Sequence, residues 1–197
     1  MRLGIIGEGI NWIRKQLGNR SFRILTAAAV LTGTALCAEF MMFNYSILKI
    51  LRYLILLCAM FVIAWIDQHD RRIPNRILIF LLTIRMVLLV VEWITVPAMG
   101  MALLISSLLG LLIGGGLFLI AHFISRGGVG MGDVKLFAVI GFYVGGGSIM
   151  PVVFLSALSS ALYSVVMLAL KKISLKAEIP FAPFVLVGMI LAMALGM

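Results

Sequence analysis

Apolar runs of about 20 residues follow one another down this chain with only short polar breaks between them, and that is the length a helix needs to cross a bilayer. Inside the hydrocarbon every backbone N–H and C=O must be satisfied within the protein, which leaves helices or closed barrels. The runs are continuous rather than alternating, so they read as helices. The expected spans are 24–43, 48–67, 76–96, 100–124, 133–147, 149–170 and 180–196. The fold class is therefore all-α: a polytopic membrane helix bundle of about six to seven transmembrane helices. A hydrophobic fraction of 63% excludes an ordinary soluble domain, for which about 45–50% is usual.

The polar breaks fall into two sets. Asn44-Tyr45-Ser46, Pro97 to Gly100 and Gly145 to Ser148 mark one side. Asp70-Arg71-Arg72, Ser125 to Gly128 and Lys171-Lys172 to Glu178 mark the other. Arg2, Arg14, Lys15, Arg20, Arg23, Arg71, Arg72, Arg76, Arg126, Lys135, Lys171, Lys172 and Lys176 lie on the second side; Lys49 and Arg52 lie on the first. Basic residues accumulate in cytoplasmic loops, so the second side and the N-terminus are expected to be cytoplasmic. The formal charge of +9 is thus explained by orientation in the bilayer. Nucleic acid is not an expected partner, because the bases are scattered between apolar runs rather than clustered on one face.

Two segments are expected. Residues 1–22 form a cytoplasmic interfacial amphipathic segment, with Ile6, Ile10, Ile13 and Leu17 at helical spacing and Arg14, Lys15 and Arg20 elsewhere on the turn. Residues 23–197 form the transmembrane domain. Cys37 and Cys58 are isolated in apolar runs and suit packing. No His and carboxylate set has metal-ligand spacing, so no metal site is expected.

Ionisable residues in spans mark function by default. Asp67 ends the second expected span and Asp133 begins the fifth, so an even number of crossings returns both to the cytoplasmic edge. Glu39 and Arg85 are read as a structural pair or as side chains reaching a watery recess. His69 and Asp70 are expected in a wet loop, and His122 in a polar contact between helices. Gly110 and Gly114 form a G-x-x-x-G packing pattern. Gly128 and Gly130 start a dinucleotide fingerprint but fail it, since Asp133 replaces the third Gly and no strand precedes.

Three segments carry a resemblance. Asp67 with Ile73-Pro74-Asn75 resembles a D-x5-I-P-[ND] element, Gly130-Met131-Gly132-Asp133-Val134-Lys135-Leu136 a G-x-G-D-x-K-L signature, and Ile179-Pro180-Phe181-Ala182-Pro183-Phe184 an I-P-F-x-P-F element. In that order they are similar to the type IV prepilin peptidases. The resemblance implies an aspartic endopeptidase of the bacterial inner membrane, multi-pass, that removes leader peptides from prepilin-like precursors at the cytoplasmic face. Those precursors are expected to carry a basic leader and a hydrophobic helix that lies in the lipid bilayer. Asp67 and Asp133 match the family's catalytic pair. Gly130, Gly132, Lys135, Pro74, Asn75, Pro180, Phe181 and Pro183 match its active-site or substrate-binding segments. Larger members have an N-terminal methyltransferase region with a cysteine-rich loop. Residues 1–60 show no such loop, so the chain resembles the short, peptidase-only form.

Two close carboxylates do not both ionise easily, so they are expected to share a proton. One then takes a proton from water while the other hydrogen-bonds the scissile carbonyl, with no cofactor required. Asp133 at a helix N-terminus suits the base, and Asp67 at a helix C-terminus suits the acid. Asn75 is an expected N-cap of the third span, and the glycine loop a flexible gate. The alternative is a small proton-coupled membrane transporter or channel using the same acids; a non-catalytic scaffold is a third reading.

Overall fold

The computed structural model describes residues 20–172 and 179–196, with side chains from 26 onward. The expected interfacial segment therefore lies almost entirely outside the described residues. Among these residues the chain is helical throughout, with α1 Arg20–Met42, α2 Ile47–Asp70, α3 Asn75–Thr95, α4 Pro97–Ile124, α5 Met131–Val144, α6 Ile149–Ala169 and α7 Ala182–Ala194. All seven coincide with expected spans to within a few residues. Helices α2, α3, α4 and α6 are long and apolar enough to cross a membrane on their own. Large apolar side chains such as Ile79, Phe80, Leu112 and Phe154 are exposed around the outside, as expected where lipid is the solvent. The protein is a multi-pass membrane helix bundle.

Helix ends follow local chemistry. The Ser46 hydroxyl accepts from the Lys49 N–H at 3.3 Å and starts α2. Arg71 closes α2 in the left-handed region at φ 51°, its N–H bonded to the Asp67 carbonyl. That stop lies beyond the expected one, so His69 and Asp70 belong to the last helical turn rather than to a loop. Pro74 takes the N-cap position of α3. Asn75 is therefore the first helical residue and not the cap, which leaves its side chain free for another partner. Gly145, at φ 88°, ends α5, and Gly146 N–H then bonds Ser106 O at 2.8 Å.

Two close approaches set the packing. Helices α4 and α5 press backbone to backbone: a Cβ on Gly110 would collide with the Gly141 carbonyl oxygen, one on Gly141 with that of Gly110, and one on Gly114 with the Phe137 carbonyl. The G-x-x-x-G pattern does serve helix packing. Helix α7 lies against α6 where Gly188 meets Ser156, and also against α2. With 14 residues, α5 is about 21 Å long, shorter than the ~30 Å hydrocarbon core.

Arg85 is fully buried mid-bundle, and its partner is Glu92 rather than Glu39. Arg85 Nη1 donates to Glu92 Oε2 at 2.9 Å, Nη2 to Ser107 Oγ at 2.9 Å and Nε to the Phe142 carbonyl at 3.2 Å. Arg52 Nη1 reaches the other oxygen of Glu92 at 3.4 Å. A single carboxylate thus serves two buried guanidinium groups and ties α2, α3, α4 and α5 together. Tyr143 adds a buried bond to the Leu81 carbonyl at 2.8 Å.

Removing the acid would strand two cations. Glu92→Ala is expected to destabilise the protein by about 3–5 kcal/mol, read as a lowered thermal midpoint in detergent. Gly141→Val is expected to cost about 1–3 kcal/mol or more by overpacking the α4–α5 seam, whereas the same change at Gly116, where an added Cβ meets nothing, should leave the midpoint near that of the parent.

Candidate active site

Three stretches far apart in sequence line one cavity of about 400 Å³ at the basic end of the bundle: Asp67 with residues 71–73 and Asn75, Gly130 to Lys135, and Ile179 to Phe181. Each brings something different. Helix α2 delivers Asp67 one turn before its end, with 6% of the residue exposed. The loop from Arg71 to Pro74 brings basic side chains and Ile73, and the first turn of α5 brings Asp133. The segment before α7 closes the remaining side with Pro180 and Phe181.

Asp67 is fixed across the longest sequence separation in the site. Its Oδ2 accepts the Ala182 backbone N–H at 2.9 Å, one of the donors that the start of α7 leaves without a helical partner. The Asp67 carboxyl therefore meets a helix N-terminus, just as that of Asp133 does in α5. The assignment of acid and base from helix ends therefore loses its premise. Asp133 lines the same cavity as Asp67.

The glycines admit these groups. A Cβ on Gly130 would sit 3.3 Å from Asp133 Oδ2, and one on Gly132 would sit 3.3 Å from Ile73 Cβ. Gly132 thus lets the α2–α3 loop close onto the α5 start. The turn before α5 is hydrogen-bonded to the end of α4. Gly127 N–H bonds the His122 carbonyl at 2.9 Å, Gly128 N–H the Ser125 carbonyl at 3.1 Å, and Val129 N–H the Ser125 hydroxyl at 3.2 Å. His122 Nδ1 lies 2.6 Å from the Val129 carbonyl oxygen. A carbonyl only accepts, so that nitrogen carries the proton. His122 joins a helix to the active-site loop, where contact between two helices was expected.

Lys135 Nζ donates to Asn75 Oδ1 at 3.3 Å, which supplies the partner that the sequence left undecided and the use of an Asn that is not a cap. Pro74 and Pro183 do not line the cavity. Pro74 precedes α3 at its N-cap, and Pro183 sits in the first turn of α7, where the missing N–H costs nothing. Phe181 packs against a stacked pair, Phe118 and Phe137, whose ring centroids are 3.8 Å apart. Neither of those aromatics was singled out in the sequence, since both look like ordinary residues of an apolar helix. The deep charges belong elsewhere: Arg52 and Arg85 both pair with Glu92, and none of the three lines this cavity.

The sequence matches the family described as the type IV leader peptidase family over residues 54–165, a range that contains two of the three cavity segments. It is also 35% identical over 189 residues to the prepilin leader peptidase/N-methyltransferase of Bacillus subtilis (strain 168), covering 92% of this chain and 70% of that protein. No solved structure matches it at a significant level. The chain belongs to the type IV leader peptidase family and is a peptidase.

Proposed function

We propose that the cavity is the active site of an aspartic endopeptidase that removes the leader from prepilin-like precursors at the cytoplasmic face of the bacterial inner membrane. The observation that carries this reading is the convergence of Asp67 and Asp133, with all three motif segments, on one cavity. The basic residues around it, Arg71, Arg72 and Lys135 among them, belong on the cytoplasmic side by the rule that governs membrane orientation.

The chemistry is hydrolysis of one peptide bond. With one proton between them, the ionised carboxylate takes a proton from water while the protonated carboxyl donates a hydrogen bond to the scissile carbonyl. The water oxygen adds to that carbon, and the C–N bond then breaks as a carboxyl proton passes to the leaving amine. The two groups act as a unit, so the roles belong to the pair. The Ala182 N–H holds the Asp67 carboxyl, and the missing side chain of Gly130 leaves room for that of Asp133. The reaction assigned is the peptidase one; the methyl transfer in the relative's name is not carried over, because no cysteine-rich loop occurs in residues 1–60.

Purified protein in detergent, incubated with a panel of prepilin-like precursors, should shorten at least one of them. Asp67→Ala and Asp133→Ala should each lower that rate by at least about 10²-fold, while eluting as the parent does on gel filtration. Unchanged cleavage by either folded variant overturns the assignment. A shared proton also requires a bell-shaped dependence of kcat/KM on pH. Activity falls at the acid limb as both carboxyls protonate, and at the alkaline limb as both ionise; a flat profile speaks against the pair.

A further inference from the structure

A second cavity of about 340 Å³ adjoins the first. Leu78, Ile79 and Leu82 of α3 form one wall, and Leu111 of α4 with Ala138 and Val139 of α5 forms the other. Asn75 and Lys135 line both cavities, so the bond between their side chains stands at the neck where the two meet. Away from that neck the walls are aliphatic, and Ile79 is 63% exposed, so the groove opens sideways towards lipid. From Asn75 to Leu82 it follows α3 for about 10 Å, away from the water-facing end and into the bilayer.

Given the peptidase reading, on which this inference rests, we propose that the α3–α4–α5 groove receives the substrate's apolar helix on the far side of the cut bond. A chain held at Asp67 and Asp133 that continues into the membrane must leave the cavity on its bilayer side, and this groove starts there. Another depression also borders the cavity, sharing Arg72, Ile73 and Asn75 with it, but its lining adds Asp70 and Arg76 at the helix ends, so it is a charged, water-facing surface rather than an aliphatic path into the bilayer. The apolar grooves around Cys58 and Val62 and beside Trp93 and Leu104 share no residue with the cavity. Aliphatic side chains from about two turns of a helix laid along α3 would fill the groove in the way helix-in-groove recognition does elsewhere. The Lys135–Asn75 pair then borders the bond to be cut, where the substrate passes from an aqueous to an apolar surround.

The test compares two substrates: a full-length precursor with its apolar helix, in liposomes, and a short soluble peptide that ends just past the cut. Ile79→Trp and Leu82→Trp fill the groove, and Val62→Trp fills the unconnected one as a control. The groove variants should lower the kcat/KM ratio of precursor over peptide at least tenfold, mostly through KM for the precursor, and Val62→Trp should keep the parent's ratio. A ratio unchanged in both groove variants overturns the proposal. A photo-crosslinker at position 79, and separately at 62, reads occupancy without reference to cleavage or to any fault in the tryptophan variants. Precursor captured at 79 and not at 62 supports the groove; lipid alone at 79, or equal capture at both, overturns it. Parent protein that cleaves neither substrate counts against the peptidase reading, while crosslinking still decides the groove.

Discussion

The backbone contact between Gly110 and Gly141 sets the height of the wall of the cavity that carries Asp133. In a bilayer, lipid tails are as apolar as leucine, so helices associate through close packing rather than by escaping water. Helix α5 is short, and the seam with α4 fixes how far its start projects along the bundle axis. Asp133 is two residues into that start, so its depth follows from a pair of glycines at the other end of the helix. The turn after Val144 completes the anchor, because Gly145 takes a backbone conformation that side-chain-bearing residues rarely adopt.

The opposite wall is fixed by different physics. Asp67 sits on a long helix that runs through the membrane, and its carboxylate takes a backbone N–H from a segment 115 residues away. One side of the cavity is thus set by steric contact and the other by a hydrogen bond from backbone to a carboxyl group. Between them the His122 and Ser125 contacts hold the glycine loop against α4. The result is a cavity whose walls are joined by contacts from distant parts of the chain, an arrangement suited to placing reacting groups within narrow limits.

Helix positions were legible in the sequence because apolar runs of spanning length admit few alternatives. The two aspartates were legible too, since acids at the ends of spans are rare and the flanking segments resemble a known family. What escaped were contacts between helices. Glu92 was not singled out in the sequence, and only the fold brings it to Arg52 and Arg85. Phe118 and Phe137 carry no local signal that they will stack. The role of Asn75 was misjudged because a residue after proline suggests a cap, whereas Pro74 itself ends the extended segment. Gly132 was singled out by its motif, but its neighbour Ile73 became visible only once two distant loops met. Spacing reports which face of a helix a residue occupies; it does not report what stands opposite.

Arg85 and Glu92 stand seven residues apart on the same helix, two turns along one face. During synthesis α3 therefore brings its counter-ion with it, and Arg52 has already emerged on α2. A lone arginine at mid-bilayer would oppose insertion, yet this segment reaches the translocation machinery as a near-neutral unit. Ser107 and the Phe142 carbonyl are made later and complete the arrangement only when α4 and α5 arrive. The order of residues along the chain is thus also an order of neutralisation, in which Arg85 carries its acid on its own helix and Arg52 gains the same acid when the next helix follows.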